Sequence, residues 1–272
     1  MTLPALIDAK SLSDYLVRHP NTLIIDVSSP ENYAQGHLPG AVNVPPVNLC
    51  SGVKPATGSL PAPGDLKALL ESVGLTPNKQ IVVYDDAGGS WAGRMVWTLE
   101  VVGHTQNTLL DGGIVAWRAE GLPLSVDTPV VTRSTLSPLH INTALIADKE
   151  EILSKLGQDD FAIWDARAPE EYDGSKVVSA RGGHIPGAVN LEWSNLYDVQ
   201  KDTRLRPLDD IQKMLEQAGF TPDKTIVTHC QTHRRSGLTW FVAAKLLGYN
   251  HIKAYPGSWA EWGNTEDLPV EK

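Results

Sequence analysis

Thr225-Ile226-Val227-Thr228-His229-Cys230-Gln231-Thr232-His233-Arg234-Arg235-Ser236-Gly237 reads as a strand, a tight loop and the opening of a helix. The β-branched, apolar run 225–228 suits a buried strand, and residues 238–247 carry a helical pattern. Such a loop can turn its backbone N–H groups inward as an anion nest, and the following helix adds partial positive charge at its N-terminus. A cysteine there is expected to have a depressed pKa and to be a nucleophilic thiolate near neutral pH. An inert cysteine in an apolar pocket would not call for His233, Arg234 and Arg235 at its mouth.

Outward from this loop the chain alternates short apolar strands with helical segments. Thr22-Leu23-Ile24-Ile25-Asp26-Val27, Gln80-Ile81-Val82-Val83-Tyr84-Asp85 and Phe161-Ala162-Ile163-Trp164-Asp165 are predicted strands. Helices are expected over 12–18 (capped by Ser11), 65–73 (capped by Asp65), 91–102 and 147–156. Gly36-His37-Leu38-Pro39-Gly40-Ala41-Val42-Asn43 returns almost letter for letter as Gly183-His184-Ile185-Pro186-Gly187-Ala188-Val189-Asn190. Pro169-Glu170-Glu171-Tyr172 answers Pro30-Glu31-Asn32-Tyr33, Ile226-Val227 answers Ile81-Val82, and Trp262 answers Trp117. Collinear matches of this kind mark a duplicated domain. Residues 122–140 are rich in Pro, Ser, Thr and Val and lack a helical period. The expected division is therefore a first domain over 1–124, a linker over 125–142 and a second domain over 143–272. Strands alternating with helices imply an α/β fold, each domain a parallel sheet with helices on both faces. Sites in such sheets lie at the carboxyl ends of the strands, where the loop after Val227 sits.

The duplication supplies its own control. Asp85 stands opposite Cys230, in the loop Asp85-Asp86-Ala87-Gly88-Gly89-Ser90-Trp91. One active site is expected, in the second half, with the first half as scaffold and pocket wall. His37 and His184 occur in both halves and read as structural. His229 is expected to pack away from the site. Cys50 sits in a Pro/Gly-rich loop without a basic neighbour and reads as a bystander.

The 272-residue chain carries a net charge of -9, which disfavours nucleic acid and anionic membranes as partners. Two distant cysteines make no disulfide framework and point to a reducing compartment, the cytoplasm. The stretch Met1-Thr2-Leu3-Pro4-Ala5-Leu6-Ile7-Asp8 lacks the basic and apolar regions of a secretory signal. No apolar run approaches the ~20 residues of a membrane span. No cluster has metal-ligand spacing. Two domains able to bury each other favour a monomer.

The Gly-His-Ile-Pro-Gly-Ala turn, the set Asp165, Arg167, Glu171 and Tyr172, the strand ending in Cys230, and Tyr255-Pro256-Gly257-Ser258-Trp259 together resemble the rhodanese family over nearly the whole chain. The resemblance implies tandem rhodanese-like domains and sulfurtransferase chemistry with thiosulfate or 3-mercaptopyruvate. Cys230 would carry a covalent persulfide, with no other cofactor, between a small anionic sulfur donor and a thiophilic acceptor such as cyanide, a thiol or a sulfur-accepting protein. The loop departs from the Cys-Arg-Lys-Gly-Val-Thr and Cys-Gly-Ser-Gly-Val-Thr signatures and is similar to the Azotobacter-type bacterial loop. The family's arginine just before the tyrosine is replaced here by Glu171. Gln231 and Thr232 are expected to supply backbone N–H groups, and Ser236 closes the loop. Arg235 would fork on the bound oxyanion, with Arg234 and His233 as further cations, which favours thiosulfate. Asp165 and Arg167 would brace the loop, and Glu192 and Trp193 would line the pocket mouth. Two other readings compete: a cysteine phosphatase, whose signature Cys-x5-Arg this Cys-x4-Arg loop misses, and a non-catalytic binding or sulfur-carrier module.

Overall fold

Buried strands organise both halves. The structure, a computed structural model, describes residues 3–272. The first half contributes β1 (Leu6–Ile7), β2 (Leu23–Asp26), β3 (Val42–Asn43), β4 (Ile81–Tyr84) and β5 (Asn107–Leu110). They form one parallel sheet in the order β1-β5-β4-β2-β3. The second half contributes β6 (Phe161–Asp165), β7 (Ala188–Asn190), a hairpin of β8 (Tyr197–Asp198) and β9 (Arg204–Leu205), β10 (Thr225–His229) and β11 (Ile252–Ala254). Its sheet runs β11-β10-β6-β7, again parallel, and Ile146 bridges to Ala254 at the β11 edge. Four strands of the two orders correspond one for one and the Ile146 bridge stands where β1 does, so the internal repeat is a repeat of topology.

Ten helices alternate with these strands among the described residues: α1 (Ala9–Arg18), α2 (Pro30–Ala34), α3 (Pro63–Ser72), α4 (Ser90–Val101), α5 (Gly113–Ala119), α6 (Lys149–Lys155), α7 (Pro169–Tyr172), α8 (Leu208–Gln217), α9 (Arg235–Phe241) and α10 (Ser258–Trp262). Asp8 rather than Ser11 caps α1, its carboxylate accepting from the Ser11 N–H. Asp65 lies in the first turn of α3, which opens on Pro63 because proline is tolerated where no N–H partner exists. The helix expected over 238–247 begins three residues earlier as α9 and ends in a π-turn over Val242–Leu246. Residues 126–142 hold no regular element.

The repeated letters fix repeated contacts. Tyr33 Oη donates to the Ala41 carbonyl at 2.7 Å, and Tyr172 Oη to that of Ala188 at 2.6 Å. His37 and His184 each stack on those tyrosines at 3.8 Å, deep inside their halves. Trp117 Nε1 donates to Pro123 and Trp262 Nε1 to Pro269. Each core gathers equivalent positions: Ile24, Leu38, Ala41, Val82 and Trp117 in one, Ile163, Ile185, Ala188, Val227 and Trp262 in the other.

The chain divides into two compact units. The segment Cys50–Leu60 belongs with the second unit, together with Asn142–Leu196 and Arg206–Lys272. The hairpin segment Tyr197–Leu205 belongs with the first. There the Leu205 N–H donates to Asp111 and Arg204 pairs with Glu120 at 2.7 Å. No helix among the described residues is long and apolar enough to cross a membrane.

Candidate active site

β10 lies between β11 and β6 and delivers Cys230 at its carboxyl end. Every residue from Ile226 to Cys230 is buried, so the strand holds the cysteine at a fixed depth. The loop that follows is tied from behind by α10. The Trp259 and Ala260 N–H groups donate to the carbonyls of Cys230 and Gln231 at 3.0 and 2.9 Å. The Cys230 N–H reaches Ser258 Oγ at 3.4 Å. With these carbonyls turned back toward α10, loop N–H groups are left to face the sulfur.

His233 makes the turn with a φ of 56°, a left-handed conformation uncommon outside glycine. The sulfur of Cys230 meets the Arg235 guanidinium, the Ser236 hydroxyl, and the N–H groups of Ser236 and Thr232. Burial would push this thiol up, but these donors outweigh it and hold it below its ordinary value. Ser236 Oγ also lies 2.8 Å from His233 Nδ1. For the hydroxyl to donate to sulfur, His233 must carry its proton on Nδ1.

The expected cations divide. His233 is fully buried beneath the loop and does not reach the pocket mouth, because its ring is spent on Ser236. Arg234 is partly exposed. Arg235, expected to present its fork to an oxyanion, presents it to Glu171: Nη1 to Oε2 at 2.5 Å and Nη2 to Oε1 at 3.0 Å. Burial alone would raise Glu171 and lower Arg235, and their mutual attraction reverses both shifts. Gln231 Nε2 donates to Ser179 Oγ at 3.1 Å.

Behind the loop, Asp165 and Arg167 form a fully buried pair at 2.6 Å. Arg167 also donates to the Gly183 carbonyl and stacks 4.4 Å over the Trp259 ring. Since Trp259 is bonded to Cys230, the pair supports the loop through α10. His229 stands beside Asp165 in the β10–β6 register, with Nε2 at 3.6 Å, and it is buried without a place at the mouth. Burial keeps it below its ordinary pKa and therefore neutral. Glu192 and Trp193 are half-buried, and the short helix Trp193–Leu196 packs on α9.

The contacts of four residues escaped the sequence reading. Glu171 lies 64 positions before Arg235, and only its acid in place of the family's arginine signalled it. Ser258 and Ser179 contact the loop through backbone turns that leave no pattern. Gly58, in the segment that joins the second unit, comes so close that a Cβ there would sit 2.3 Å from the Thr232 carbonyl and 2.5 Å from that of Pro256.

In the first unit the equivalent loop is filled from within. Asp85 Oδ1 accepts from the N–H groups of Ala87 and Gly89, and Oδ2 from those of Trp91 and Ala92, all at 2.8 to 3.0 Å.

The description "Rhodanese-like domain" matches this chain twice, over residues 8–120 and 148–265. The chain is 46% identical to a "Thiosulfate sulfurtransferase" of Pseudomonas aeruginosa over 99% of its length and 97% of the relative's. It is also 46% identical to one from Azotobacter vinelandii, over 99% and 98%. A "Sulfur carrier protein TtuD" of Thermus thermophilus is 31% identical over 88% and 87%. Among solved structures, the anaerobic ergothioneine biosynthesis enzyme of Chlorobium limicola has the same fold, with a TM-score of 0.87 at 24% identity over 98% of this chain and 70% of that one. With two matches covering both halves and relatives aligned end to end, the chain belongs to the rhodanese family.

Proposed function

We propose that this sulfurtransferase takes sulfane sulfur from thiosulfate onto Cys230 and passes it to a thiophilic acceptor. The observation that carries this reading is the Cys230 sulfur, set at a strand end against Arg235, the Ser236 hydroxyl and two loop N–H groups. The thiolate attacks the outer sulfur of thiosulfate. A new S–S bond forms, the donor's S–S bond breaks, and its electron pair leaves with sulfite. The persulfide anion occupies the same donors that held the thiolate. Cyanide or a thiolate then attacks the terminal sulfur, thiocyanate or a new persulfide departs, and Cys230 returns as thiolate. Charge is conserved in both steps and no further cofactor is required.

Asp165, Arg167 and α10 hold the loop in shape, and Gln231 and Thr232 shape its rim. A net charge of -9 suits a small donor steered by a local cluster rather than a nucleic-acid partner. Two thiols outside any disulfide fit the reducing cytoplasm, and the chemistry needs residues of a single chain, a monomer.

The test is donor-dependent persulfide formation. Incubation with thiosulfate should add one sulfur atom to Cys230 by mass spectrometry, and cyanide should remove it as thiocyanate. 3-Mercaptopyruvate in parallel should load more slowly. Loading by mercaptopyruvate alone would reassign the donor. Phosphate release from an aryl phosphate without sulfur loading would reassign the reaction.

A further inference from the structure

The Arg235–Glu171 pair sits where a positive charge would serve an anionic donor, yet the guanidinium fork is already filled. The Glu171 side chain is 6% exposed and that of Arg235 19%, so the pair is largely withdrawn from water. A bidentate carboxylate satisfies the geometry that would otherwise grip a sulfonate or sulfate group. Close to the pair lie Asp165 at the end of β6, Arg167 two residues on, and the Cys230 thiolate, with Arg234 the preceding residue of the loop and His229 neutral. With thiolate formed, Arg235 already faces two anions, Glu171 and Cys230. The charge of Arg235 is therefore largely met before a dianion arrives.

We propose that Glu171 is a specificity-determining residue that occupies the Arg235 fork, so that the site weakly retains tetrahedral dianions and releases sulfite readily. This rests on Cys230 being the sulfur acceptor. A donor dianion is engaged through the loop N–H groups long enough for attack, and the departing sulfite meets an Arg235 fork already bound to Glu171. Discrimination against sulfate, which matches thiosulfate in charge and shape but has no sulfane sulfur, follows from the same arrangement.

The probe is inorganic sulfate, read by its protection of Cys230 against the neutral alkylating agent iodoacetamide. This measurement needs no turnover. Glu171→Gln and Glu171→Ala should each bind sulfate roughly tenfold or more tightly than the wild type, as a freed charged fork gains an anion. The KM for thiosulfate should fall and product inhibition by sulfite should tighten by a similar factor. Adding Arg235→Ala to Glu171→Gln should abolish the gain. A variant that merely loses structure would bind sulfate less well, so gain distinguishes the proposal from instability. Unchanged or weaker sulfate binding in both variants, including through failure to fold, would overturn it and make Glu171 a structural partner that aims Arg235. Absence of a persulfide in the wild type would instead sink the reading of Cys230, whatever sulfate does.

Discussion

Two loops of common origin end equivalent strands, and one holds a carboxylate where the other holds a thiolate. After β4, Asp85 accepts four backbone N–H groups and closes its loop on itself. After β10, the corresponding position is Cys230, whose donors include side chains of Arg235 and Ser236. The first loop has Ser90 where the second has Arg235, and Asn32 where the second has Glu171. Asn32 donates to Asp86 at 2.5 Å, so a neutral amide and an acid stand in for the ion pair. The backbone architecture thus supplies an anion cradle in both halves. An occupant that can do chemistry, and a charge that activates it, are supplied in one.

The comparison breaks most completely with Cys230→Ser, which should abolish persulfide formation and thiocyanate production while the melting temperature stays near the wild type. Arg235→Ala should come next. It removes the guanidinium beside the sulfur and strands a buried carboxylate, at a cost of about 3 kcal/mol in stability. Persulfide formation per folded molecule should slow by roughly tenfold to a hundredfold. Its pH profile carries the sign: the wild-type rate rises as pH climbs through the depressed thiol pKa and then levels off. Without Arg235 the inflection should move to higher pH, as followed by thiolate alkylation. No shift would mean that the nest alone activates Cys230.

Gly58→Ala sharpens the comparison from a distance. Its Cβ collides with two carbonyl oxygens, one of them in the nucleophile loop, so the loop must yield. A loss of about 1–3 kcal/mol in stability and a several-fold slower donor step are expected, measured by melting and single-turnover loading. Cys50→Ser should have the smallest effect, with transfer rates near the wild type.

Much of this was legible in the letters because the chain is written twice. The Gly-His-x-Pro-Gly-Ala turn, Tyr33 and Tyr172, and Trp117 and Trp262 recur because each makes the same contact in its own half. Cys230 was legible because a reactive thiol needs charge near it, and Arg235 is five residues away. What stayed hidden depends on chain segments brought together by folding. Glu171 takes the fork assigned to an oxyanion, and no local pattern announces an ion pair across 64 residues. His233 looked like a cation at the mouth, but its left-handed backbone turns the ring inward to Ser236. Gly58 lies in the Pro/Gly-rich loop that also holds Cys50, and its need for a missing side chain shows only against Thr232 and Pro256.

The central claim is that the cradle alone does not make a sulfur site; the charged side chains around Cys230 do. Asp85→Cys tests it most directly, by placing a thiol in the first cradle without an arginine beside it. After thiosulfate treatment and peptide mapping, sulfur should be found on Cys230 and not on the cysteine introduced at position 85. Sulfur at position 85 at a rate comparable to Cys230 would contradict the account and give the activity to the backbone nest.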